Sequence, residues 1–199
     1  MITYSNISTS NGIDFNDYLK YTGYSHSFLK GESFGIAKEV PMTDKIKVGK
    51  LVDAILTEPE SIDKYDMLDI LYPIAKEIAF KIRDQFGDLI KRFESQISFT
   101  ADVEYEGFTM PTKGRMDYLL KDVAVIDLKV SFAKDVKALI EFMKYENQLW
   151  HYCKAMNVTQ AYLLIYSVPL KKTQLIKIDV SQPVNEFWAD KCLKFGLTK

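Results

Sequence analysis

Lys113-Gly114-Arg115-Met116-Asp117 and, after a short turn, Val123-Ala124-Val125-Ile126-Asp127-Leu128-Lys129-Val130 decide how this chain folds. Both stretches have strand length, and Asp122 begins the turn between them, so they are expected to pair as adjacent strands. Pairing would set Asp117 beside Asp127. Asp127 and Lys129 stand two apart and so project from one face. An Asp-x-Lys spacing alone says little, because solvent-facing strands often alternate these residues. The apolar residues Val125, Ile126, Leu128 and Val130 change its meaning. They mark a mostly buried strand, where an aspartate and a lysine are costly unless they pair or bind a metal. Two carboxylates can hold a divalent cation, and the Leu128 carbonyl could add a ligand. Such an ion polarises a phosphodiester and acidifies a bound water. Lys129 would orient that water or stabilise the charge of the transition state.

Working outward, Ile97–Val103 reads as a strand, and Gly107 and Pro111 mark the turn region before Lys113–Leu120. With Val123–Val130 these make an antiparallel meander. On the C-terminal side, 134–156 has apolar residues at helical spacing and is expected to be one long amphipathic helix. Ala161–Val168 is a continuous apolar strand of the kind buried on both faces. Thr173–Val180 alternates as a last strand, and Pro183–Phe195 closes the chain as a helix. On the N-terminal side, 1–12 is rich in Ser, Thr and Asn and reads as an irregular lead-in. Tyr24–Leu29 resembles a capped helix start, with Ser25 or Ser27 as N-cap. Residues 31–46 read as a loop, and Lys47–Thr57 is a helix stopped by Glu58-Pro59. A further amphipathic helix spans 73–93. The expected class is α/β, one domain over 1–199, with a lead-in over 1–46 and a core over 47–199. Its mixed central sheet has about five strands flanked by helices.

Composition narrows the chemistry. The 199 residues are 47% hydrophobic and 27% charged, which is ordinary for a globular domain and excludes a disordered or collagen-like chain. The net charge of −1 argues against a protein that coats nucleic acid over its whole surface, yet leaves room for a local basic groove. Cys153 and Cys192 lie far apart, which argues against a disulfide framework or a zinc site, and a reducing cytosolic location is the default. No signal sequence or membrane-length apolar run is present. His26 and His151 are the only histidines, so a hydrolytic metal would be held mainly by carboxylates, as Mg²⁺ or Mn²⁺.

Four pieces, in order, then resemble one family. They are Ser25-His26-Ser27-Phe28-Leu29, the segment from Val48-Gly49 through Asp53 to Glu58-Pro59, Lys113–Asp117 with Asp127-Leu128-Lys129, and Tyr145-Glu146-Asn147-Gln148-Leu149-Trp150-His151-Tyr152. Together, over roughly 24–195, they are similar to the PD-(D/E)xK nuclease superfamily. Within it they resemble the phage-type exonucleases related to RecE (exonuclease VIII) and lambda exonuclease. The resemblance implies a restriction-endonuclease-like core. It implies that Asp117, Asp127 and the Leu128 carbonyl bind Mg²⁺ and that Lys129 is the catalytic lysine. It also implies that Gln148 and Tyr152, one turn apart on a helix, border the site. Where many relatives carry a histidine, this chain has Asp53, which either adds a metal ligand or makes a surface salt bridge. A further glutamate expected before the core strands is assigned to Glu94, with Glu104 and Glu106 as competitors.

Contacts to DNA are expected from Lys113 and Arg115, which share the strand face of Asp117. Ser25 and Ser27, helped by Lys20, would either cap a helix or hold a terminal phosphate at its N-terminus. Tyr145, Trp150 and His151 could stack on bases, although core packing suits Trp150 better. By the resemblance, the face of Gln148 and Tyr152 touches the DNA strand or a metal-bound water, with simple packing as the alternative for Tyr152. Lysines and arginines should gather around Lys113, Arg115 and Lys129, with acidic residues opposite. The leading reading is a Mg²⁺-dependent exonuclease acting on duplex ends in recombination. By resemblance it would be a ring-shaped homo-oligomer partnered by a single-strand-annealing protein, in the cytoplasm of a bacterial or phage-infected cell. The alternatives are a RecB-like endonuclease or single-strand nuclease of the same fold, or an inactive DNA-binding relative. Retention of Asp117, Asp127 and Lys129 argues against the last.

Overall fold

The computed structural model describes residues 1–11, 13, 15–34, 43–59 and 68–198. In chain order come β1 (Thr3–Asn11), α1 (Phe15–Lys20), α2 (His26–Phe34), α3 (Asp44–Thr57) and α4 (Leu68–Ile90). The meander β2 (Glu94–Tyr105), β3 (Phe108–Leu120) and β4 (Ala124–Ser131) follows. Then come α5 (Val136–Met143), α6 (Tyr145–Met156), β5 (Gln160–Ser167), β6 (Lys172–Ile178), α7 (Glu186–Phe195) and the short β7 (Leu197–Thr198). The described strands form one seven-stranded sheet in the order β1-β2-β3-β4-β5-β6, with β7 on β3. Strand neighbours run antiparallel except β4 and β5, whose parallel pairing needs the α5–α6 crossover between them. The fold is mixed α/β, as expected.

Local chemistry sets the element ends. Thr43 caps α3 by accepting from the Ile46 N–H at 3.4 Å, and Val48, Leu51, Val52 and Ile55 turn one buried face to the sheet. The β2–β3 hairpin turns on Glu106 and Gly107, both at positive φ (49° and 83°), the backbone that suits the twist of a two-residue hairpin. Asp135 caps α5 through the Ala138 N–H.

Three expectations change. The lead-in contains β1, an edge strand whose Ser, Thr and Asn side chains mostly meet water, so it lacks the apolar alternation that announces a strand. With β7 it raises the sheet from about five strands to seven. The single helix over 134–156 is two helices, because Lys144 adopts a left-handed backbone (φ 53°) between α5 and α6. Much of the loop expected over 31–46 lies outside the described residues, and α2 extends through Phe34.

The sheet is covered on both sides. One core joins β1–β3 and Val125 of β4 to α2, α6 and α7 through Leu29, Phe99, Leu149, Trp150 and Trp188. The other joins Ile126 and Leu128 of β4 to α3 and α4 through Leu51, Val52, Ala75 and Ile82. Trp150 and Trp188 are fully buried, and each indole N–H reaches a backbone carbonyl, of Gln182 and Asn147, at 2.8 Å.

Candidate active site

Between the two cores the sheet opens. The β3–β4 ladder has the rungs Tyr118↔Ile126, Leu119↔Val125 and Leu120↔Ala124. The next rung in that register would join Asp117 to Asp127, and it is not made. From there β3 stays with β2, and β4 stays with β5. The two aspartates thus stand in the fork. Asp117 Oδ2 accepts the Leu128 N–H at 2.5 Å. Lys129 Nζ forms an ion pair with Asp127 and donates to the Leu128 carbonyl at 3.1 Å.

The strand opposite is also irregular. Ser95↔Tyr118 and Ile97↔Met116 put Gln96 across from Asp117, and this pair drops out of the ladder. Gln96 has φ 54°. Residues two apart on a strand normally share a face, yet Met116 packs in one core and Tyr118 in the other. The irregularity lets Gln96, buried at 4% exposure, reach both sides of the cleft. Its Nε2 donates to Thr57 Oγ1 at 2.8 Å and to both carboxylate oxygens of Asp53 at 3.3 Å. Its Oε1 accepts from Arg115 Nε at 2.5 Å. Sequence reasoning missed this residue; the available signal was an amide within the apolar and hydroxyl run 95–101, opposite Asp117. Glu94 is exposed at the start of β2, bonded to Asn11, outside this cleft. The glutamates at 104 and 106 stand at the far end of the same hairpin, Glu104 accepting from Ser5.

From the other side, α6 contributes Gln148 and Tyr152. Gln148 Nε2 donates to the Tyr152 hydroxyl at 2.7 Å, and that hydroxyl donates to the Arg115 carbonyl at 2.8 Å. Gly114 makes this approach possible, since a Cβ there would lie 2.3 Å from the Phe99 ring and 2.8 Å from that of Tyr152. Gln148, Tyr152, Asp53, Gln96 and Asp117 line a cavity of about 400 Å³, with Ser25, His26 and Ser27 of the α2 start on its wall. Ser25 Oγ accepts from the Phe28 N–H at 3.3 Å, so Ser25 is the N-cap.

Other expected residues have different work. Lys113 and Arg115 line the cavity, but Lys113 Nζ donates to the carbonyls of Leu19 and Tyr21 at 3.0 and 2.8 Å. Arg115 pairs with Glu58 as well as Gln96. Their charge is therefore committed to protein partners that hold α1 and α3 on the sheet. Tyr145 is 8% exposed, and Lys129 Nζ lies 5.7 Å from its ring centroid, so it supports the lysine and offers no open stacking face. Trp150 and His151 are core residues.

The electrostatics are those of crowded buried carboxylates. Burial pushes Asp53 up to about 6, with Lys129 and Arg115 opposing and Asp127 adding. Burial, then the charges of Asp53 and Asp127, holds Asp117 well above the usual carboxylate range. Burial works against the Lys129 ammonium, but Asp127 and Asp117 outweigh it and keep the group firmly protonated. Burial lowers His26 to about 3, with Lys30 and Lys129 adding, so its imidazole is neutral.

Among the described residues no three His, Cys, Asp or Glu side chains are gathered closely enough to hold an ion by themselves. The donor set that fits a hard divalent cation is Asp117, Asp127 and the Leu128 carbonyl, with Asp53 behind it. The buried Asp127 Oδ2 is the ion-pair partner of Lys129, whose charge also acts on Asp53 and Asp117. An excess of buried negative charge on oxygen donors is what such a cation relieves.

No family model and no curated protein matches the sequence. Among solved structures the chain is similar to a candidate exonuclease from Eubacterium rectale, with 18% identity over 89% of this chain and 71% of that one, at a TM-score of 0.56. It is also similar to a protein named SSO0001 (17% identity, 92% and 84% covered, TM-score 0.44). A weaker likeness is to Candida albicans Rai1 in complex with pU5 and Mn²⁺ (16% identity, 83% and 57% covered, TM-score 0.29). The chain therefore shares the fold of the Eubacterium rectale protein, a mostly antiparallel sheet flanked by helices.

Proposed function

We propose that this protein is a divalent-metal-dependent nuclease that hydrolyses phosphodiester bonds, and that it acts on the ends of double-stranded DNA. The observation that carries this reading is the fork between β3 and β4. There Asp117, Asp127, the Leu128 carbonyl and Lys129 meet at the edge of a cavity walled by Asp53, Gln96, Gln148 and Tyr152. Asp117, Asp127 and Leu128 would hold Mg²⁺ or Mn²⁺, which when bound supplies Lewis-acid activation of the phosphodiester and acidifies water. Lys129 keeps its proton and presents fixed positive charge where the pentavalent phosphorus gains negative charge. Gln96 holds Asp53 in place from the far strand. Tyr152 pins β3 through the Arg115 carbonyl and gives Gln148 a fixed direction.

Tyr18, Leu19 and the α2 start wall this cavity, and in this reading a chain end lies against them. Ser25 and Ser27 at the N-terminus of α2 would receive its terminal phosphate. The finer expectations rest on the sequence resemblance: a phage-type exonuclease in recombination, a ring of identical subunits, an annealing-protein partner and a cytoplasmic site of action. None of the described helices is long and apolar enough to cross a membrane.

One assay tests the reading. Linear duplex DNA, with or without a 5′-phosphate, is incubated with the protein in Mg²⁺ or EDTA, beside Lys129→Ala. Cleavage should need Mg²⁺, proceed from ends, run faster with the 5′-phosphate and fall by about 10²-fold or more in the variant. Absence of Mg²⁺-dependent cleavage by the wild type rejects the nuclease, and cleavage of closed circles makes it an endonuclease.

A further inference from the structure

A second cavity, of about 310 Å³, also borders Asp53 and Asp117. Lys50, Asp53 and Asp117 line both cavities. Gln148 and Tyr152 face only the larger one, and Leu128 and Lys129 only the smaller. Asp53 and Asp117 therefore stand on a divide. A polymer cut at that divide has to occupy both sides, since displacement at phosphorus places the attacking and leaving oxygens opposite one another.

The walls of the smaller cavity suit a nucleotide. Phe132, just past the end of β4, is half-buried and presents its ring there. Lys45 Nζ lies 5.7 Å from the centroid of that ring, so an aromatic face and positive charge are offered together. Lys50, exposed on α3, stands one turn beyond Ile46 on the same wall. Between them is Gly49, a poor helix former inside a well-packed helix. A Cβ on Gly49 would meet no atom within 4 Å, so its missing side chain leaves open room in the groove. Helix glycines of this kind allow a ligand to approach the backbone closely.

We infer that the smaller cavity is the subsite for the first nucleotide on the retained side of the cut. Its base lies against Phe132, and its phosphate sits beside Lys45 and Lys50 over Gly49. The terminal nucleotide to be released occupies the larger cavity. This assignment rests on the nuclease reading, but it makes a binding claim of its own.

The probe is 5′-phosphorylated dithymidylate, titrated in Ca²⁺ and followed by backbone amide resonances. The amides of Gly49, Lys50 and Phe132 should shift together with those of Ser25–Phe28. Gly49→Leu, which fills the groove, and Phe132→Ala should weaken binding about tenfold, the worth of one stacked base, and raise KM on long DNA by a similar factor. If Gly49→Leu fails to fold, Lys45→Glu on the exposed side of α3 replaces it, with the same expected loss. Shifts confined to Ser25–Phe28, or unchanged binding and KM in the variants, would overturn the subsite. Shifts at Phe132 without Mg²⁺-dependent cleavage would keep the subsite and reject the nuclease. Cleavage with no shift at Gly49 or Phe132 would do the reverse.

Discussion

Gln96 carries a left-handed backbone within a strand and three side-chain contacts that bridge α3 and β3. A non-glycine residue in that conformation costs on the order of 1–2 kcal/mol, which the bonds to Asp53, Thr57 and Arg115 offset. This position shows why the site was only partly legible. Asp117, Asp127 and Lys129 could be found because charge inside an apolar strand needs a reason. Gln96 is a fainter signal, because an amide raises less alarm than a charge and its strand position depends on a backbone irregularity that no hydrophobic period encodes. Glu94, two residues away, carries the more expected charge but faces water. Gly114 is another residue whose role is geometric. Gly114→Ala would drive a methyl group into Phe99 and Tyr152. It should cost about 1–3 kcal/mol of stability in urea melts and lower kcat by displacing the Tyr152 hydroxyl from the Arg115 carbonyl. An alanine variant that melts and turns over like the wild type would contradict this account.

At the scale of elements, the junction of α5 and α6 places the helix that carries Gln148 and Tyr152. The apolar period runs through it, so the sequence reads as one helix, yet Lys144 turns the chain at φ 53°. Asn157 ends α6 in nearly the same conformation, φ 52°, and asparagine tolerates it better than lysine does. Lys144→Gly should therefore stabilise the fold by about 0.5–1 kcal/mol and raise Tm by about 1–4 °C, while leaving the helix content seen by circular dichroism intact. A fall in Tm would mean that the Lys144 side chain matters more than its backbone. The first strand was illegible for a different reason. β1 borders only β2, and most of its side chains face water, so it has no apolar face to display. Its anchor is the Tyr4 hydroxyl, 2.5 Å from His151 Nδ1 on α6. That contact joins residues too far apart in sequence for any local pattern to reveal.

For the whole molecule, the crowded carboxylates set stability against chemistry. Asp53 titrates near 6 in the folded chain and near 3.9 when unfolded. A carboxyl group with a raised folded pKa loses stability as pH rises through that window. Without a divalent cation, Asp53→Asn should therefore raise Tm at pH 8. The gain should shrink below about pH 6 and vanish by about pH 4, where both states hold the proton. Mg²⁺ should raise the Tm of the wild type at pH 8, and EDTA should reverse it. The effect should fade on acidification as protons displace the ion, and Asp117→Asn should abolish it. Calorimetric scans across pH check all of these, and a lower Tm for metal-free Asp53→Asn would refute the charge argument. The outer strands also have a whole-molecule role. The register shift between Ser5 and Ser8 in β1, with Asn6 at φ 50°, interrupts one edge of the sheet against pairing with a second chain.

The antiparallel pairing of Thr3 with Glu104 has a consequence for how a cell makes this protein. The ribosome releases β1 long before its partner exists, so the strand waits unpaired while the intervening helices emerge. Asp53 appears early, Gln96 and Asp117 later, and Gln148 and Tyr152 later still. A nascent chain stopped before α6 has neither the hydroxyl that pins β3 nor the crossover that seats β4 beside β5. Premature termination thus releases fragments in which the cleft between β3, β4 and α6 is unassembled.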